Sequence, residues 1–284
     1  MKKKYGLLIL FSTIILTISV FAVRLYVHEK WQSQQIHKLI AEQTELFNNG
    51  VKYGDVLSDL QKRFSNVEDT LYSRVEYTEE AFNYLAIGNS ITLHEKCDYW
   101  WNEIGMAASI PEKDYFHLVS EYLLQTYNEA NTYAFNFAIW EIQSADRTQT
   151  ISALEKYVSS KLDLITIQLS ENVTNLDTFV SDTKEMIAFL QEKCPSAKII
   201  LVDDFWSNEK SNLKHQIAAE SGVSFASLEN IRGKAEYMCG LNAIVYGDDN
   251  TSHTVEHGGV AAHPGDRGMQ AIADSIIDIL KGEV

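Results

Sequence analysis

Short apolar runs alternate with longer amphipathic segments over residues 81–284 of the chain. The short runs predict strands, and the longer segments, in which apolar residues recur every three or four positions, predict helices. Strands separated by helices pair in parallel through crossover connections, so the pattern predicts a three-layer α/β/α sandwich with a parallel sheet. The predicted strands are Phe82–Ile87, Thr132–Ala138, Leu162–Leu169, Ala197–Val202 and Val223–Ala226, and the predicted helices are Leu93–Ala108, Glu112–Asn128, Ile139–Ser159, Asp177–Lys193, Lys210–Glu220 and Asp266–Lys281.

The first residues of the chain have a different pattern. Lysines precede the run Tyr5–Val23, which contains no charged residue, and Arg24 closes it. A helix of this length spans roughly 28 Å, close to the thickness of a bilayer's hydrocarbon core. Because lysines stay on the cytoplasmic side, we predict a signal-anchor over residues 1–24, with a single-pass protein in the cell membrane and its body on the extracytoplasmic side. A cleaved signal peptide, which would release a secreted protein, and a buried core helix are the alternatives.

Residues 25–80 are polar, with apolar residues largely at helical spacing. This pattern predicts a helical stalk or an N-terminal helical layer. A short coiled coil that joins copies of the chain into a homo-oligomer fits the same spacing, and the heptads are too few to choose between these structures. The remaining unit, residues 81–284, is the predicted α/β domain, and it contains the candidate catalytic segments described below.

Composition narrows the class of protein. Hydrophobic residues make up 45% of the chain and aromatic residues 11%, which is typical of a folded protein. The net charge of −15 argues against binding to nucleic acid or to an anionic membrane surface, where basic residues must neutralise phosphate. Three cysteines are too few for a disulfide scaffold, although one bridge or three free thiols both fit. His253, His257 and His263 match no compact zinc spacing, so we expect neither a metal nor a cofactor.

Two segments carry candidate chemistry. Gly88-Asn89-Ser90 follows a predicted strand, and His263 precedes the last predicted helix. The ends of parallel strands gather at one edge of a sheet, where such residues meet. A serine hydroxyl is a nucleophile only when a base takes its proton and hydrogen-bond donors hold the oxyanion. Ser90 and His263 are therefore the candidate nucleophile and base.

Four short blocks resemble the SGNH hydrolase superfamily, the flavodoxin-like serine esterases also called GDSL hydrolases. The family is named for Ser, Gly, Asn and His in this order, and the resemblance covers roughly residues 82–281. It implies that Ser90 is the nucleophile and His263 the general base, and that no cofactor is needed. It also implies an oxyanion hole made by the N–H groups of Ser90 and Gly105 and by the side-chain amide of Asn172. The blocks are Gly88-Asn89-Ser90, Trp101-Asn102-Glu103-Ile104-Gly105-Met106-Ala107-Ala108-Ser109, Ile167-Gln168-Leu169-Ser170-Glu171-Asn172 and Ala262-His263-Pro264-Gly265-Asp266-Arg267-Gly268-Met269.

The chain departs from the family pattern at four positions. Asn89 stands where the family usually has aspartate, Ser170 stands where it has glycine, and Val173 stands where it usually has aspartate after the asparagine. The family's acid three residues before the histidine is replaced by Val260. The base then takes its orientation from a different acid or from a backbone carbonyl, which would leave a Ser-His dyad. The candidate acids are Glu256, Asp249 and Asp266.

The resemblance implies hydrolysis of acyl esters, commonly O-acetyl groups on cell-surface carbohydrate. The expected partners are therefore a small-molecule or carbohydrate ester and, through the N-terminal helix, the membrane. Two other functions stay open. The same residues would serve an acyltransferase that acts on an envelope polymer, and the missing acid would suit a non-catalytic binding or scaffold module.

Overall fold

The computed structural model describes residues 75–142 and 147–282. The predicted signal-anchor over residues 1–24 and almost all of the predicted stalk over residues 25–80 lie outside these ranges. Within them, no helix has both the length and the apolar character needed to cross a bilayer. The described part consists of a parallel sheet between two layers of helices, as the sequence pattern predicts.

The sheet has five parallel strands in the spatial order β2-β1-β3-β4-β5. The strand order reverses direction at β1, which pairs with β2 on one side and with β3 on the other. Ligand sites of open parallel sheets lie at such a reversal, outside the carboxyl ends of the strands. The strands are β1 (Phe82–Gly88), β2 (Ala130–Asn136), β3 (Leu164–Gln168), β4 (Lys198–Val202) and β5 (Ser224–Ala226).

Helices cover both faces of the sheet, and side chains alternate between the two resulting cores. Tyr84 and Ala86 contribute to one core, and Leu85 and Ile87 to the other. The helices of the first core are α1 (Tyr115–Tyr127) and α7 (Asp266–Lys281); the second core contains α4 (Phe179–Lys193) and α5 (Asn208–Ser221). The last predicted helix, Asp266–Lys281, has the bounds that the structure gives for α7.

Two predicted helices are wrong. Residues 93–108 form no helix; His94 pairs with Ile104 and Cys97 with Trp100 in isolated β-bridges. The reason lies in packing, because a Cβ on Gly105 would lie 2.5 Å from the carbonyl oxygen of Ile91, so this segment folds closely beneath the serine loop. In the described part of residues 139–159, α2 (Ala138–Ile142) and α3 (Arg147–Ile151) are helical, but Ser152–Lys156 form a 3₁₀ turn, so no α-helix continues to Ser159.

The sequence pattern missed a small hairpin and a short helix before α7. The hairpin pairs β6 (Ile244–Tyr246) with β7 (Ser252–Thr254) in antiparallel fashion, and the helix is α6 (Gly258–Ala262). Two pairs of stacked aromatic rings join the segment that contains β7 and the start of α6 to the loop after β1. Tyr99 stacks on His257 with centroids 4.1 Å apart, and Trp101 stacks on His253 at 4.2 Å. These stacks help to fix the loops that carry the serine and the histidine.

Candidate active site

The serine loop begins where β1 ends. Gly88 is required there, because a Cβ would lie 1.8 Å from Oγ1 of Thr92 and 2.9 Å from the carbonyl oxygen of Gln168. The chain then makes a tight turn in which Asn89 Oδ1 accepts a hydrogen bond from Ile91 N at 3.0 Å. This turn leaves Ser90 half-buried at the carboxyl edge of the sheet.

The structure brings Ser90 and His263 together. Ser90 Oγ lies 2.8 Å from His263 Nε2, and His263 Nδ1 lies 2.7 Å from the carbonyl oxygen of Gly259. Because a carbonyl only accepts, Nδ1 carries the proton and Nε2 is free to accept from the serine hydroxyl. The pair thus has the tautomer that a general base requires.

Neighbouring segments hold His263 in place. Its carbonyl oxygen accepts from Cys239 N at 2.9 Å, and Trp206 Nε1 donates to the adjacent carbonyl of Ala262 at 3.1 Å. The Trp206 ring also meets the imidazole edge to face, with centroids 5.4 Å apart. Burial, with smaller contributions from His94 and His257, lowers the pKa of His263 from 6.5 to about 4. The imidazole is therefore neutral at physiological pH and ready to accept a proton.

Within the described residues, none of the three candidate acids forms a hydrogen bond with His263, so these predictions are wrong. The carboxylate of Asp266 instead accepts hydrogen bonds from N and Oγ of Ser109, at 2.7 Å each. Asp249 accepts from N and Oγ1 of Thr251, and Glu256 is exposed. The position of the family's acid is filled by Val260, whose side chain is buried in the core. The orienting group is the backbone carbonyl of Gly259, the other arrangement that the sequence left open.

The structure also corrects the role predicted for Gly105. Its N–H donates to Asp114 Oδ2 at 3.0 Å, and both residues are buried. The same carboxylate caps α1 by accepting from His117 N at 2.7 Å. An N–H held by a buried carboxylate is not free to receive an oxyanion, so Gly105 serves close packing beneath the serine loop instead.

Two of the predicted oxyanion donors remain accessible. Among the described residues, Ser90 N has no hydrogen-bond acceptor, and Asn172 is exposed in the loop after β3. Asn172 Nδ2 donates one hydrogen to Glu141 Oε2 at 2.6 Å. A side-chain amide nitrogen carries two hydrogens, so the second stays available to a substrate.

The sequence reasoning missed Glu141, which accepts hydrogen bonds from both the serine loop and the Asn172 loop. The residue lies in α2, directly after β2, and only 1% of its surface is exposed. The available signal was a lone carboxylate in the apolar stretch Phe137-Ala138-Ile139-Trp140-Glu141 at a strand's carboxyl end. The predicted strand Thr132–Ala138 and the predicted helix Ile139–Ser159 divide this stretch between them.

A second carboxylate, that of the half-buried Glu171, lies in the same network. Asn89 Nδ2 donates to Glu171 Oε2 at 2.7 Å and also to Glu141 Oε1 at 3.1 Å. Burial first, and then the nearby charges of Asp204 and Glu141, raise the pKa of Glu171 to about 8, although Lys214 acts in the opposite direction. An amide at position 89 supplies a hydrogen to each carboxylate, which aspartate could not do.

Ser170, in the place of the family's glycine, has a backbone φ of 151°. Non-glycine residues rarely adopt such a value, and the surrounding contacts must hold it. Ser170 N donates to Glu141 Oε1 at 2.6 Å, and its Oγ donates to Asp204 Oδ2 at 2.7 Å. Lys210 Nζ donates to its carbonyl oxygen at 2.8 Å. Asp204 is fully buried, so it stabilises this loop from the interior of the protein.

Other expectations concern metals and thiols. Within residues 75–142 and 147–282, no three His, Cys, Asp or Glu side chains form a group that would hold a metal ion. Cys97, Cys194 and Cys239 are all free in the described part of the chain.

No protein-family model matches the chain, and no curated protein matches it in sequence. Among solved structures it is similar to a two-domain esterase active on acetylated mannans, with 18% identity, a TM-score of 0.45 and coverage of 72% of this chain and 50% of that one. It is also similar to phospholipase A1 from Streptomyces albidoflavus NA297 (12% identity, TM-score 0.46, 72% and 100% covered). A third similar structure is the psychrotrophic esterase EstA from Pseudoalteromonas sp., with 12% identity, a TM-score of 0.44 and coverage of 71% of this chain and 97% of that one.

Putative GDSL-like lipases and a salicylyl-acyltransferase are also among the similar structures. The chain spans half the length of the two-domain esterase. The activity of this chain is argued below from the geometry of its own residues.

Proposed function

We propose that this protein is a serine esterase of the SGNH type, with Ser90 as nucleophile and His263 as base. The observation that carries the proposal is the 2.8 Å contact between Ser90 Oγ and His263 Nε2, together with the Gly259 carbonyl on Nδ1. A binding or scaffold module has no need for a neutral imidazole directed at a half-buried serine. The pair therefore favours catalysis over the non-catalytic alternative.

The reaction follows from this geometry in two halves. Nε2 of His263 takes the proton of Ser90 as Oγ attacks the ester carbonyl, and the negative charge that develops on the carbonyl oxygen is held by Ser90 N–H and by the Asn172 amide. The imidazolium then protonates the leaving alcohol, and the acyl group stays on Ser90. Water, deprotonated by His263, releases the acid and restores the serine.

The imidazolium has a backbone dipole as its partner where the family has a carboxylate. The carbonyl of Gly259 fixes the tautomer and the ring orientation, but it neutralises less of the positive charge than an acid would. Proton transfer to His263 is therefore less favourable than in a complete triad, which predicts modest turnover. The Ser-His dyad is the catalytic unit of this proposal.

The substrate and the location of the enzyme belong to the proposal as well. The resemblance of the sequence blocks suggests acyl esters, with O-acetyl groups on cell-surface carbohydrate as the first class to test. Residues 1–24 suggest a membrane anchor and an extracytoplasmic catalytic domain. An acidic protein, with a net charge of −15, suits a neutral or cationic substrate better than an anionic one.

The test is hydrolysis of p-nitrophenyl acetate and longer acyl homologues by the full-length protein in a mild non-ionic detergent. The Ser90→Ala and His263→Ala variants, checked for folding by circular dichroism, should each lose turnover by a factor on the order of 10⁴ or more. A fluorophosphonate should label the wild type and leave Ser90→Ala unlabelled. Turnover that survives in Ser90→Ala would refute the proposal. Labelling without hydrolysis would point to the acyltransferase reaction, which an added sugar acceptor would then reveal.

A further inference from the structure

Glu141 is a buried carboxylate next to the catalytic pair that the proposed mechanism does not use. It lies in α2 at the carboxyl end of β2, and neighbouring groups fix its position. Trp140 is fully buried, and the guanidinium of Arg147 lies 5.4 Å from the centre of the Trp140 ring. Arg147 is in turn held by Asp182 at 3.1 Å. Glu141 is therefore attached to a rigid part of the fold.

Four donors converge on the two oxygens of this carboxylate. Oε1 accepts from Asn89 Nδ2 at 3.1 Å, from Ser170 N at 2.6 Å and from Asn172 N at 3.3 Å. Oε2 accepts from the side-chain nitrogen of Asn172 at 2.6 Å. One side chain from the β2 loop thus connects the residue before the nucleophile with the loop that carries the amide donor.

The contact with Oε2 decides which end of the Asn172 amide faces the substrate. The oxygen and the nitrogen of an amide have nearly the same shape, so packing alone does not distinguish the two orientations. In the wrong orientation the amide oxygen would face the oxyanion and repel it. An ionised carboxylate only accepts hydrogen bonds, so it selects the orientation in which the nitrogen approaches Glu141 and keeps a second hydrogen for the substrate.

We infer that Glu141 is a positioning residue, which holds the Asn172 amide as a hydrogen-bond donor to the oxyanion without touching the substrate itself. The inference rests on the proposed esterase mechanism. It assigns to Glu141 a role that neither the nucleophile nor the base supplies, namely the orientation of a neutral donor by a buried anion.

The decisive variant is Glu141→Gln in the full-length protein. Glutamine has the same shape and keeps one oxygen for Asn89 Nδ2, Ser170 N and Asn172 N. Its NH₂ group would meet the NH₂ group of Asn172, so the Asn172 amide must turn over. We expect kcat to fall about 10²-fold, the usual cost of one oxyanion donor, while KM changes by less than about threefold.

A double variant distinguishes positioning from general structural support. Asn172→Ala should cost the same factor as Glu141→Gln, and the two changes together should cost no more than Asn172→Ala alone, because Glu141 acts through that amide. Losses that multiply would overturn the inference, and so would a wild-type kcat in Glu141→Gln. Glu220→Gln is the matched control, since this exposed glutamate pairs with Lys184 on the surface.

A spectroscopic readout makes the test independent of turnover. The side-chain NH₂ signals of Asn172, identified by their loss in Asn172→Ala, should shift in Glu141→Gln and stay unchanged in Glu220→Gln. Unshifted signals would overturn the inference even if the protein hydrolysed no ester. Failure of the proposed function has a different signature, which is turnover or fluorophosphonate labelling that persists in Ser90→Ala.

Discussion

The low pKa of His263 has a direct consequence for the pH dependence of the reaction. The general base must be neutral in the free enzyme, and kcat/KM reports the pKa of that state. With a pKa of about 4, about 90% of His263 is neutral at pH 5, whereas an imidazole at the ordinary value of 6.5 would be only about 3% neutral. Activity should thus persist on acidification until the pH approaches 4.

The size of the effect makes it easy to measure. Between pH 7.5 and pH 5, kcat/KM should fall by about 10% for a pKa of about 4, and in any case by far less than the roughly 30-fold loss of an unperturbed histidine. The sign follows from the causes, since burial disfavours the charged imidazolium by more than the hydrogen bond to the Gly259 carbonyl favours it.

The assay is p-nitrophenyl acetate hydrolysis over pH 3.5–8, with stopped samples made alkaline so that the product absorbs fully. Tryptophan fluorescence at each pH monitors folding, because Trp100 and Trp140 are fully buried. Activity that returns after a brief exposure to low pH separates protonation from unfolding. A half-maximal rate near pH 6.5 would refute the reasoning, since it would mean that the imidazole is hydrated or has an anionic partner.

Two further predictions concern residues around the dyad. Asp249→Asn and Glu256→Gln should each leave kcat for p-nitrophenyl acetate within about twofold of wild type, because neither carboxylate contacts His263. A loss of about 100-fold in one of these variants would restore the substituted residue as the triad acid. Ser170→Gly and Ser170→Ala both remove the hydrogen bond to Asp204, at a cost of about 1–3 kcal/mol, but glycine relieves the unusual φ. Urea unfolding should therefore find Ser170→Gly more stable than Ser170→Ala by about 1 kcal/mol, and the reverse order would show that φ is not strained.

The sequence predicted the sheet well because its strands are apolar on both faces and are separated by amphipathic helices. The run Phe82–Ile87 and the helix Asp266–Lys281 agree with the structure almost residue for residue. The predicted helix Leu93–Ala108 failed because its spacing of apolar residues reflects close packing around Gly105. Periodicity records which side chains are buried, and it does not distinguish a helix from an irregular loop pressed into the core.

The contact between the candidate nucleophile and the candidate base could be predicted, because both residues lie in short motifs and meet through their own side chains. Ser90 and His263 come together as the sequence blocks implied. The orienting carbonyl of Gly259 has no signature in the sequence, since every residue has a carbonyl. Glu141 was missed for a related reason: its contacts come from the serine loop and the Asn172 loop, which meet its short helix only in the folded protein.

The double hydrogen bond of Asn89 restricts the order in which this site can change during evolution. Aspartate, the family's usual residue at that position, would place a third carboxylate against Glu141 and Glu171 and would remove the two hydrogens that they share. A single substitution to aspartate is therefore unfavourable while both carboxylates are present. Asn89, Glu141 and Glu171 form one hydrogen-bonded unit, so each of these residues limits what the other two positions tolerate.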